Sequence, residues 1–119
     1  MDREQMLKRT KDFAIRIIKL VAAMPSNRIG DVIGRQLLKS GTSIGANYRE
    51  AIHASSKRHF ATTLEIAQRE AHETVYWLEL VEESGMVPGG RMRELVQEAR
   101  ELLAILTSSA KAAKKRQSE

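Results

Sequence analysis

No cysteine occurs in the chain, which removes both a disulfide framework and any thiolate metal site. Aromatic residues are scarce, one Trp, two Tyr and two Phe. A base-stacking platform would therefore have to come from Tyr48, Tyr76 and Trp77, and these fall mostly at core spacing, where packing is the ordinary role. Proline appears only at Pro25 and Pro88, so long stretches are free to be helical. Long apolar runs are missing as well. The best of them, Ile15 to Ala23, is cut by Arg16 and Lys19 and falls short of the roughly 20 residues a membrane span requires. The start, Met1-Asp2-Arg3-Glu4, lacks the basic-then-apolar order of a signal peptide. These absences predict a cytoplasmic protein with no membrane contact.

What is present is helical in character. Alanine, leucine, isoleucine, glutamate and arginine are frequent, and 119 residues suit one domain spanning 1–119, large enough to bury a core without staples. The formal net charge is +5 and the sequence pI about 9.8. It is unevenly spread. Residues 1–56 carry ten Lys/Arg against five Asp/Glu, residues 57–87 three against six, and residues 88–119 seven against four. A basic balance favours polyanions such as RNA, DNA or anionic lipid. Solubility of a Lys- and Glu-rich helical surface explains the same numbers.

Four segments have helical periodicity. In the first, about 3–24, Met6, Thr10, Phe13, Ile17, Leu20 and Met24 make a seam. Leu7, Ala14, Ile18 and Val21, then Ile15 and Ala22, widen it to about 220° of the circumference. A helix that apolar should touch two neighbours or a second subunit. Pro25 and Ser26-Asn27 then supply a stop and an N-cap. The second segment, about 28–54, places Ile29, Val32, Ile33, Leu37, Ile44, Tyr48 and Ile52 at helical spacing. It also contains Ser40-Gly41-Thr42-Ser43-Ile44-Gly45-Ala46-Asn47, where each glycine costs about 1 kcal/mol of helix propensity relative to alanine. A loop there is one reading. A continuous helix is preferred, because Gly41 and Gly45 share a face and would let a neighbouring backbone approach. The third segment, about 57–84, repeats Phe60, Leu64, Ala67, Ala71, Thr74, Leu78 and Val81 in heptad fashion, with Gly85 as C-terminal cap and a turn through Val87-Pro88-Gly89-Gly90. The fourth, about 90–113, carries Met92, Leu95, Ala99, Leu102, Leu106 and Ala113, followed by a basic end over 111–119 that should fray. At 1.5 Å per residue the four rods match at roughly 33 to 42 Å. Short connections then predict an all-α, antiparallel up-down-up-down four-helix bundle.

Enzymatic signatures are hard to build from these residues. Glu50, Glu70 and Glu73 could face one another across helices, as in bundle di-iron sites, but the Glu-x-x-His repeats of those sites are missing around His53, His59 and His72. Ser43 has no histidine on an obvious common face to act as base. The glycine-containing stretch lacks the Gly-Lys of a phosphate loop. No cofactor, metal or small-molecule substrate is implied. Asn47, Glu50, Glu70, Glu73 and Trp77 are expected to form a polar network beside the seam of Gly41, Ser43 and Gly45, fixing helix register. The candidates for a nucleic-acid surface are Lys8, Arg9, Lys11, Arg16 and Lys19, then Arg28, Arg35, Lys39 and Arg49, then Lys111, Lys114, Lys115 and Arg116. A solvated face is the plain alternative for each of them.

The run Gln36-Leu37-Leu38-Lys39-Ser40-Gly41-Thr42-Ser43-Ile44-Gly45-Ala46-Asn47-Tyr48-Arg49-Glu50-Ala51, with Glu70-Ala71-x-Glu73-Thr74-x-Tyr76-Trp77-Leu78-Glu79-Leu80 and Phe13-Ala14-x-Arg16-Ile17-Ile18-Lys19-Leu20, resembles the bacterial four-helix-bundle family encoded within intervening sequences of 23S rRNA genes. That resemblance covers nearly the whole chain. It implies a closed bundle and a ring-like homo-oligomer, with five copies as the expected number. It also points to a distant relative, the accessory variability determinant of diversity-generating retroelements, which looks like a basic pentameric barrel that binds nucleic acid and a reverse transcriptase. Two functions follow as expectations. One is a non-enzymatic homo-oligomer that binds RNA or other nucleic acid. The other is a structural or protein-partner adaptor with no nucleic-acid role.

Overall fold

The structure, a computed structural model, describes residues 1–88 and 90–118. Four helices follow one another: α1 (Arg3–Ala23), α2 (Arg28–Ile52), α3 (Lys57–Glu83) and α4 (Gly90–Ser118). Three of them start on a side chain suited to the task. Asp2 accepts the Gln5 amide at 2.8 Å while the Gln5 side chain accepts the Asp2 amide at 3.0 Å, a reciprocal capping box. Asn27 accepts the Gly30 amide at 2.8 Å, and Ser56 accepts that of His59 at 3.0 Å. After Ser84, Gly85 takes φ 71°, the left-handed conformation that ends a helix at little cost only in glycine. The expected turn through Val87 to Gly90 contains Gly89, which lies outside the described residues, as does Glu119 of the basic end.

Antiparallel neighbours pack closely from α1 to α2, α2 to α3 and α3 to α4, whereas α1 lies less closely against α4. The result is a rod of 49 × 23 × 21 Å. Its axis is filled by Met6, Phe13, Ile17, Leu37, Ile44, Leu64, Leu78, Met92, Leu102 and Leu106, all buried. Two of the buried hydroxyls are absorbed by their own helices: Thr10 donates to the Met6 carbonyl at 2.9 Å and Thr74 to that of Glu70 at 2.7 Å. Among the described residues no buried side-chain polar atom lacks a partner.

α2 is unbroken through Ser40 to Asn47, and the reason lies on α1. A Cβ on Gly41 would stand 2.8 and 2.9 Å from the two γ carbons of Ile17, and one on Gly45 would stand 3.2 Å from Thr10 Oγ1. The glycines offset their propensity cost by letting α1 approach.

Two expectations change. The last helix does not fray at residue 113 but runs to Ser118. Ile29 and Val32 are not core residues; they stand 64% and 53% exposed. The inward stripe of α2 passes instead through Gly30, Gly34, Leu37, Gly41, Ile44 and Tyr48, and at 100° per residue Ile29 and Val32 lie off it. The wide apolar face of α1 is not covered within the chain either, since Ile15 and Ile18 are 42% and 49% exposed.

Candidate nucleic-acid surface

The basic residues expected to meet a polyanion are distributed by helix geometry over several faces. On α2, Arg28, Arg35 and Lys39 follow steps of seven and four, so they share the ridge opposite the buried stripe, and all three are exposed. Arg49 lies closer to α1. With Lys8 and Lys11 it lines a recess of about 380 Å³ between α1 and α2, floored by Gly45 and Ala46. Lys8 is held by Asp12 at 2.8 Å, an exposed pair on one helix that contributes little to stability. Arg16 and Lys19 turn to the other flank and line a recess of about 300 Å³ between α1 and α4. Lys111, Lys114, Lys115 and Arg116 are exposed on the last turns of α4, where positive charge suits the helix dipole.

Arg9 is engaged inside the protomer. Its Nε donates to Glu98 at 2.7 Å, and its Nη2 donates to Glu98 at 2.6 Å and to Glu101 at 3.0 Å. This forked arrangement joins α1 to α4, the most loosely packed pair of neighbouring helices. The hydrogen bond to Glu98 is the main cause that raises the guanidinium pKa above its already high ordinary value; partial burial opposes it and Glu101 adds to it. With the guanidinium side chain 24% exposed and two carboxylates on it, Arg9 is a clamp and offers a phosphate little.

The network expected to cross from α2 to α3 is not formed. Asn47 donates to the Ser43 carbonyl at 2.8 Å, and Ser43 donates to that of Lys39 at 2.6 Å. Both side chains serve their own helix, and Glu50 is exposed. On α3, Glu73 accepts the Trp77 indole N–H at 3.2 Å. Glu70 is half-buried, and its pKa is raised by burial and then by Glu73, with Lys39 of α2 and Arg69 opposing. Helix register is set here by glycine seams and apolar knobs rather than by paired carboxylates. Trp77 is half-buried and stacks edge-on against Tyr76, ring centres 5.2 Å apart. Tyr48 is buried and Tyr76 is 55% exposed, so Tyr76 is the most open of the three aromatics considered for stacking.

Among the described residues no three His, Asp or Glu side chains are grouped to hold a metal ion, and no helix is long and apolar enough to cross a membrane. Three basic residues join the site that sequence reasoning left out. Arg3, Lys57 and Arg58 stand at the same end of the rod as the tail of α4. The signal was available, because in an up-down bundle odd helices begin where even helices end.

A search among curated proteins finds no match for the chain. One solved structure superposes with a TM-score of 0.85 at 35% identity, covering 93% of this chain and 99% of the other. It is a crystal structure of a protein with unknown function from the S23 ribosomal protein family of Bacteroides thetaiotaomicron VPI-5482. The sequence pattern of the family described as 23S rRNA-intervening sequence protein matches residues 3–108. Four helices, the glycine seam of α2 and that match over most of the length agree: the chain belongs to the 23S rRNA-intervening sequence protein family.

Proposed function

We propose that the protein is a non-catalytic bundle that self-associates and holds RNA by its phosphates. The observation that carries this reading is the imbalance between cations and their partners. Among the described residues, ion pairs within 4 Å engage only Lys8, Arg9 and Arg100, leaving the cations of the α2 ridge and the α4 tail outside any such pair. Such a surface favours a polyanion through counterion release. The family's name, 23S rRNA-intervening sequence protein, makes ribosomal RNA the first polyanion to try, and the same role places the protein in the cytoplasm.

Self-association supplies what one copy lacks. The cations of a single protomer point several ways, so a continuous basic surface needs copies side by side. Two apolar patches support such contacts. Ile15 and Ile18 form one on α1; Ile29 and Val32 form the other on α2, off the α2 face that packs on α1. Unlike patches that meet across a contact give head-to-tail assembly, which closes into a ring when the rotation allows. A ring of five is the form to test.

Labelled 23S rRNA fragments titrated across a salt series test the reading. Each neutralised phosphate contributes a slope of about −0.7 to −0.9 in log affinity against log salt, so binding should weaken steeply. Absence of binding at low salt overturns the RNA role. The exposed α1 patch also favours a second reading, an adaptor that docks a different protein; a pull-down that recovers only the protein itself counts against it.

A further inference from the structure

One end of the rod gathers the starts of α1 and α3 and the finish of α2 and α4. A recess of about 400 Å³ opens there, and its lining includes Arg3 of α1, Lys57 and Phe60 of α3, and Arg116 of α4. Three cations from three helices converge on it, and among the described residues no Asp or Glu lines it. Asp2, the neighbour of Arg3, is occupied by the Gln5 amide. The Arg3 guanidinium carbon sits 5.3 Å from the centre of the Phe60 ring. It is steadied by an aromatic face, which leaves its N–H donors unspent.

The local charge is also of the wrong sign for the start of α3. The first turn of α3 holds no acidic residue and instead carries Lys57 and Arg58 at the positive end of the helix dipole, where cations are unfavourable. By contrast, the recess beside Arg16 and Arg93 contains Glu94, Glu98 and Glu101. The recess of Lys8, Lys11 and Arg49 is mainly apolar, and one of its lysines is paired. The end recess therefore concentrates three cations in a concave space with no carboxylate among its described lining residues, and a dianion would suit it.

We propose that this recess binds a phosphomonoester, the doubly charged phosphate at the end of an RNA strand or on a free nucleoside monophosphate. A terminal phosphate carries about −1.5 to −2 charges, whereas a phosphodiester within the chain carries one, so three converging cations favour the end group. The volume falls within the roughly 300 to 1,000 Å³ of small-molecule sites and leaves room for the attached sugar. The strand-end form rests on the RNA reading above; the mononucleotide form does not.

The test compares one short single-stranded RNA carrying phosphates at both ends with the same strand lacking them, at fixed ionic strength, and adds uridine monophosphate alone by calorimetry. The proteins are wild type, Lys57→Gln/Arg116→Gln, and a control, Arg69→Gln/Arg93→Gln, which removes equal charge outside the recess. All four side chains are exposed, and melting temperature checks folding. The expected result is about tenfold or tighter binding of the phosphorylated strand, the scale of charge-assisted hydrogen bonds, lost in the first variant and kept in the control. Equal affinity for the two strands, or a preference that survives Lys57→Gln/Arg116→Gln, overturns the strand-end site while leaving general RNA binding in place. If neither strand binds but the monophosphate does, and the first variant abolishes that binding, the recess stands and the RNA reading fails. If nothing binds, both fail.

Discussion

Replacing Gly41 by alanine sets two effects of known size against each other. Alanine gains about 1 kcal/mol of helix propensity over glycine in a helix interior. Against that, its Cβ would fall 2.8 Å from Ile17 Cγ1, 2.9 Å from Cγ2 and 3.3 Å from Cβ. Ile17 is fully buried and β-branched, so it has no spare rotamer to swing into, and overpacking of such a site costs about 1 to 3 kcal/mol. The clash should win, leaving Gly41→Ala less stable by up to about 2 kcal/mol. Gly34 supplies the internal comparison. Its added Cβ would meet Val21 Cγ1 at 3.3 Å and the flexible end of Met24 only at 3.9 Å. There the propensity gain should survive, and Gly34→Ala should be stabilised by up to about 1 kcal/mol. For a domain of this size each kcal/mol moves the melting temperature by roughly 3 to 6 °C, so thermal unfolding by circular dichroism separates the variants. The larger Gly45→Leu should lose about 1 to 3 kcal/mol, because the approach includes the Thr10 main-chain carbon at 3.4 Å. Gly41→Ala equal to or more stable than Gly34→Ala would refute the close-packed seam.

Three further outcomes are expected. Ile18→Glu places a charge on the exposed apolar patch of α1 and should lower the solution mass without lowering helix content, as read by light scattering and circular dichroism. Arg9→Leu should cost about 1 to 3 kcal/mol in denaturant unfolding, because it leaves Glu98, 18% exposed, without its partner. Glu70 holds its proton to higher pH folded than unfolded, so stability falls as pH rises through the interval between the two values. Glu70→Gln should therefore raise the melting temperature at neutral pH and lose that advantage in acid, where both states are protonated; an equal gain at both pH values would assign the effect to packing.

The fold was readable from periodicity because most apolar residues keep one face, and because Gly41 and Gly45 at a spacing of four could be weighed as a seam before α1 was in view. Ile29 and Val32 were misassigned, since spacing alone does not say which of two overlapping stripes points inward; Leu37 and Ile44 decide that only in contact with the other helices. The site was less readable. Arg9 and Arg16 look alike along the chain, yet the register of α4 delivers Glu98 and Glu101 to Arg9. Asn47 had two satisfactory partners, a carboxylate on α3 or the carbonyl four residues back, and the local bond requires no second helix to be placed. The cluster of Arg3 and Lys57 with Arg116 depends on topology, which brings together residues more than fifty positions apart.

Light scattering of the purified protein, alone and with a 23S rRNA fragment at low and then high salt, tests assembly and RNA binding together. The expected result is a multiple of the 13.4 kDa protomer, with five copies as the expected number, a rise in mass when RNA is added at low salt, and loss of the RNA at high salt. A 13.4 kDa species unchanged by RNA in either condition would contradict it.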